Sequence, residues 1–157
     1  MNTHVSVLTL DHLQQDEELP ISWTLDPSFL DLAPNDEVQP TRSVVVKGTY
    51  SSVGEYVMFE VSMQAFFSLP CALCNERFEY EVCIGKFRHQ ELAENIKQKK
   101  WDIGELLREV LLLELPFFPQ CGGKQCLHHE EVQRYFSKGT SEKEGETKNP
   151  FQDFFEK

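Results

Sequence analysis

Residues 56–67 alternate without a break. Val57, Phe59, Val61, Met63, Ala65 and Phe67 fall on one face, and Glu60, Ser62 and Gln64 on the other. A period of two predicts an antiparallel strand with one side on a core and the other in water. Residues 77–88 repeat the pattern, with Phe78, Tyr80, Val82 and Ile84 opposed to Arg77, Glu79, Glu81 and Cys83. Residues 43–50 (SVVVKGTY) form a third strand, and 51–55 (SSVGE) a turn. The centre of the chain is therefore a three-stranded antiparallel meander. Upstream, residues 3–10 (THVSVLTL) carry enough β-branched side chains for a strand. A polar, acidic loop is expected at 14–19. Ile21, Trp23 and Leu25 alternate with Ser22 and Thr24 as a short half-buried strand. The proline-containing stretch 27–40 reads as an irregular connection.

The period changes after the meander. Residues 89–100 are polar and mixed in charge, and are expected to be partly helical. Residues 102–115 read as the one main helix. Asp102 is its expected N-cap, with Glu105 completing a capping-box pair. Ile103, Leu106, Leu107, Val110, Leu111 and Glu114 follow a 3.6-residue period, and Leu112, Leu113 and Leu115 widen the apolar face. Pro116 stops the helix, and so broad an apolar stripe should pack on the sheet. Residues 139–148 (GTSEKEGETK) have the composition of a disordered linker. Beyond them Asn149 is a good N-cap and Pro150 fits a first helical turn. Phe151, Phe154 and Phe155 then share one face, a short docking turn. The expected fold is α+β: an antiparallel meander packed by one main α-helix, with a partly disordered C-terminal tail. One domain is expected over 1–136, its core at about 40–126, and the flexible tail over 137–157.

The net charge of −11 is concentrated. Residues 1–40 hold eight acidic side chains and no Lys or Arg, whereas residues 41–129 hold eleven acidic and ten basic. An acidic arm repels phosphate backbones. It serves solubility or meets a basic partner such as a ribosomal protein. No apolar run reaches the roughly 18 residues of a membrane span. The acidic start is unlike a signal or transit peptide. A cytoplasmic location without membrane contact is expected.

Five cysteines, Cys71, Cys74, Cys83, Cys121 and Cys126, form two pairs and a singleton. An odd count in a reducing compartment does not suggest a disulfide framework. Cys71-x-x-Cys74 lies in a turn between two strands, the geometry by which zinc knuckles bring two thiolates to one metal. Cys121 and Cys126, or one of them with His128 or His129, can complete four ligands. The bland alternative is cysteines packed as small apolar side chains. A redox dithiol is a third reading, but it needs a helix N-terminus beside the thiolate, and a strand follows Cys74.

The order of these segments resembles the YceD family. That family joins a β-rich region to a Cys-x-x-Cys knuckle followed by an aromatic residue, here Cys71-Ala72-Leu73-Cys74 with Phe78 beyond it. It continues with a helix motif, here Asp102-Ile103-Gly104-Glu105-Leu106-Leu107-Arg108-Glu109-Val110-Leu111-Leu112-Leu113-Glu114-Leu115-Pro116, and a variable loop holding Cys121. The closing Asn149-Pro150-Phe151 is also similar. The resemblance spans about residues 40–126. One departure is Leu73, where the family usually has a basic residue. The resemblance implies a non-enzymatic accessory factor in accumulation of the large-subunit (23S) ribosomal RNA and in ribosome biogenesis.

Under that implication the partner is ribosomal RNA or a basic ribosomal or assembly protein. Lys97, Lys99 and Lys100 beside Trp101 are the densest basic patch with an aromatic, suited to phosphates and one stacked base. Trp101 can equally anchor the helix to the core. Arg108 and Glu109 are either a helix surface pair or a partner-facing polar edge. No catalytic constellation, phosphate loop or small-molecule substrate site is legible. The rival functions are a zinc-knuckle interaction module without a ribosomal role and a thiol redox protein.

Overall fold

The computed structural model describes residues 6–11, 13–122, 126, 130, 131 and 134. Its strands are β1 (Val7–Thr9), β2 (Glu18–Leu25), β3 (Gln39–Pro40), β4 (Val44–Val53), β5 (Tyr56–Pro70), β6 (Arg77–Leu92) and β7 (Lys100–Asp102), and they are followed by the helix α1 (Gly104–Leu113); residues 130, 131 and 134 are also helical. The meander β4–β5–β6 is present, with every neighbour antiparallel. β2 adds to the free side of β4, and the two-residue β3 pairs with β5 beyond the end of β4. The class is α+β, as the periodicity indicates.

Alternation along β5 explains the layer order. Val57, Phe59, Val61, Met63, Ala65 and Phe67 are all buried, and from Phe59 onward they join Val44 and Val46 of β4 and Ile21 and Leu25 of β2 in one core. Ile103, Leu107 and Leu111 close that core from the helix side. Gly48 is required where β4 crosses β5: a Cβ there would stand 2.0 Å from the Glu60 carbonyl oxygen. β6 changes phase midway. Met63 pairs with Ile84 but Val61 pairs with Phe87, so β6 carries one extra residue at a bulge. The inward row therefore passes from Phe78, Tyr80, Val82 and Ile84 to Phe87 and His89.

Several expectations change at element ends. β6 runs on to Leu92, and short 3-10 turns at Ala93–Asn95 and Lys97–Lys99 follow it, so 89–100 contains no α-helix. The start of β2 at Glu18 takes over the end of the expected acidic loop. Asp102 belongs to β7, which pairs with β1, and Ile103 is the helix N-cap. The Asp102 carboxylate still serves the helix start, accepting from the Gly104 N–H at 2.9 Å and from the buried Ser6 hydroxyl at 2.6 Å. α1 ends at Leu113, short of Leu115, because the last turn tightens: the Leu115 N–H bonds to the Leu112 carbonyl. Leu113 does not widen the buried stripe; it is 75% exposed. The linker and the Phe151, Phe154, Phe155 turn lie outside the described residues.

Candidate metal centre

The end of β5 and the start of β6 are joined by a knuckle. The Cys71 N–H donates to the Glu76 carbonyl at 2.8 Å, and the Asn75 N–H returns to the Cys71 carbonyl at 2.8 Å. Asn75 takes the left-handed conformation that closes so tight a loop, at φ 60°, a region where asparagine is enriched. The stretch after α1 is fastened to this knuckle, since the Ala72 N–H donates to the Pro119 carbonyl at 2.7 Å. Two segments far apart in sequence thus deliver their cysteines to one place.

The result is a four-sulfur cluster. The Sγ atoms of Cys71, Cys74, Cys121 and Cys126 all lie within 4.8 Å of one another. Cys71 and Cys126 are 3.9 Å apart and Cys74 and Cys121 are 3.5 Å apart. Four thiolates at about 2.3 Å around a tetrahedral zinc are separated by about 3.8 Å. These two separations bracket that value and every pair lies within 4.8 Å, so the donor set can close on such an ion. Both of these pairs run between segments, which suits a staple joining knuckle and loop. Cys71 and Cys126 are buried, and Cys74 and Cys121 are half-buried.

The electrostatics fit a cation. Cys71 is held down to about 6, first by the Cys121 backbone N–H and then by that of Cys74. The Cys121 donation spans 3.4 Å to the sulfur. Cys74 receives the Glu76 N–H, which favours its thiolate, but burial and the adjoining Cys71 and Cys126 sulfurs outweigh it and raise the thiol. Cys121 is pushed up, first by Cys74, then by Cys126 and Cys71. One thiolate forms readily and further charge is resisted, which is the condition a bound divalent ion relieves. Cys83 stands apart. It is exposed on β6, its thiol donates to Glu81 at 3.2 Å, and that hydrogen bond raises it.

The other sequence candidates are placed separately. Trp101 is half-buried in β7, opposite Leu8, with its ring 5.2 Å from Phe59 and 5.9 Å from His89. Its ring packs against the core in an edge arrangement with Phe59 and a tilted one with His89. Lys97, Lys99 and Lys100 beside it are exposed. The Arg108 Nε donates to the Leu30 carbonyl at 2.6 Å and so ties α1 to the 3-10 turn at Pro27–Leu30. That bond makes Arg108 a fold contact, while Glu109 remains exposed. One feature was missed from sequence: Glu60 on β5 pairs with Lys86 and Arg88 of β6 on the outer face of the sheet. The opposite charges were legible, but their register across a bulge was not.

Among the described residues, no helix is long and apolar enough to cross a membrane. Compared with known proteins, the chain matches no family model, no curated protein and no solved structure.

Proposed function

We propose that Cys71, Cys74, Cys121 and Cys126 bind one structural zinc ion, and that the chain is a non-enzymatic cytoplasmic accessory factor for accumulation of large-subunit ribosomal RNA. The observation that carries the metal reading is the four-sulfur cluster with separations close to those of a tetrahedral thiolate site. Four protein thiolates leave no open position, which makes a structural role the natural one for such an ion. Its work is to lock the segment after α1 onto the end of the sheet. The ribosomal reading rests on the resemblance to the YceD family alone.

Within that reading the metal shapes a binding platform. Lys97, Lys99 and Lys100 are the residues offered to RNA phosphates, and Trp101 holds their turn in place. The acidic arm within residues 1–40 is the surface offered to a basic ribosomal or assembly protein. A thiol redox role is disfavoured by the strand that follows Cys74 and by the pairing of each knuckle sulfur with the opposite segment.

Two experiments test the parts independently. Elemental analysis of chain purified under reducing conditions should find one zinc per chain, lost when Cys71 and Cys74 are both changed to Ser. Deletion of the gene should lower the ratio of 23S to 16S ribosomal RNA, and the intact gene should restore it. Zinc with an unchanged RNA ratio would leave an interaction module without a ribosomal role. Thiol–disulfide exchange activity lost in the double Ser variant would replace the structural site with a redox one.

A further inference from the structure

β6 is an edge. It spans 16 residues, against roughly 3–10 for most strands, and among the described residues it pairs only with β5. Its inward row is also incompletely covered. Phe78, Tyr80, Ile84 and Phe87 are half-buried, whereas their neighbours Phe59, Val61, Ala65 and Phe67 on β5 are fully buried. An open row of backbone donors and acceptors beside half-covered aromatics is a template for another strand.

Charges on an edge ordinarily deter pairing. Here their order favours one partner. On the outer face Glu79 and Glu81 precede Cys83, and Lys86 and Arg88 follow it, all exposed. We propose that two copies of this chain join antiparallel along β6, with the two-fold axis at Cys83. In that register Glu81 faces Lys86 of the second copy and Glu79 faces Arg88. The bulge makes the match possible. It shifts the outward phase from odd to even positions after Ile84, so acidic and basic residues share the outer face. The same register sets Tyr80 against Phe87 and Val82 against Ile84 on the inner face. Each of these charges also has a partner on the β5 side, Arg42 for Glu79, Gln64 for Glu81 and Glu60 for Lys86 and Arg88, so in the dimer Lys86 and Arg88 are shared between Glu60 and the second copy.

The test uses the full chain under reducing conditions in sedimentation equilibrium. The wild type should show a concentration-dependent dimer. Glu81→Lys alone, or Lys86→Glu alone, sets like charges opposite each other twice per dimer and should weaken self-association about tenfold. Mixing the two single variants should restore a dimer, because each then meets its opposite. A short bifunctional maleimide should link wild-type chains through Cys83, and Cys83→Ser should abolish the link. Opposed residues on paired strands stand only about 5 Å apart. A chain monomeric to about 1 mM, single variants that dimerise like the wild type, or linking that survives Cys83→Ser would each overturn the proposal.

Discussion

Removing Cys126 tests how the four-sulfur cluster acts on the whole chain. Cys71 and Cys126 are 55 residues apart, and Cys74 and Cys121 are 47 apart. A metal holding both pairs closes loops of about 50 residues. By the chain-entropy relation for cross-links, such a closure is worth about 4 kcal/mol at 25 °C. The two closures share one ion and overlap in sequence, so they count once. Cys126→Ala leaves three sulfurs, and three thiolates lose the tetrahedral set that a structural zinc requires. The expected result is a loss of about 4 kcal/mol, which for a chain of this size lowers Tm by about 8 to 16 °C. Thermal unfolding with and without a strong zinc chelator is the assay. Chelator should bring the wild type down to the variant and leave the variant unchanged. That second arm matters, because removing a buried thiol costs some packing on its own. A wild type indifferent to chelator, together with a variant that loses less than about 1 kcal/mol, would refute the reasoning.

Other outcomes follow from single contacts. Gly48→Ala places a methyl group 2.0 Å from the Glu60 carbonyl oxygen. It must push β4 from β5 and should cost about 3 kcal/mol in urea unfolding. Arg108→Met strands the Leu30 carbonyl that Arg108 serves and should cost about 1.5 to 3 kcal/mol, with Arg108→Lys recovering only part of it, since the ammonium lacks the guanidinium fork. Changing Lys97, Lys99 and Lys100 to Glu should leave Tm nearly unchanged and abolish binding to a 23S ribosomal RNA fragment in a filter assay. Trp101→Ala, by contrast, should lower stability by about 2 kcal/mol, since its ring packs on Phe59 and His89.

The meander was legible because β5 keeps one period over twelve residues, from Tyr56 to Phe67, and β6 keeps one over eight, from Arg77 to Ile84. Each has one face on the core, and a slip of one residue would turn that face to water. Even the bulge left a trace, in the step from Ile84 to Phe87. The β1–β7 pair was not legible, because three residues carry no period. Asp102 looked like an N-cap for good reason, as its carboxylate does accept from the Gly104 N–H. The backbone pairing with β1 moved the cap itself to Ile103. Leu113 read as core because a leucine run cannot show which residue the last turn leaves outside.

The cysteines were legible as two pairs, and their types and spacing suggested a knuckle. That Cys121 and Cys126 complete the set was one of the readings the sequence offered, beside one cysteine with His128 or His129, and the choice between them depends on where the chain goes after Pro116. The Pro119 carbonyl bonded to the Ala72 N–H is what brings that stretch home. For Trp101 the sequence offered two roles, and its packing on Phe59 and His89 was not readable from either.

Native mass spectrometry of the full chain, purified under reducing conditions without added metal, tests the central claim most directly. The account predicts a mass shifted by one zinc ion with four thiols deprotonated, and that shift absent in the Cys71→Ser, Cys74→Ser variant. A wild-type mass matching the bare chain, with all five thiols free to alkylate in the folded state, would contradict it.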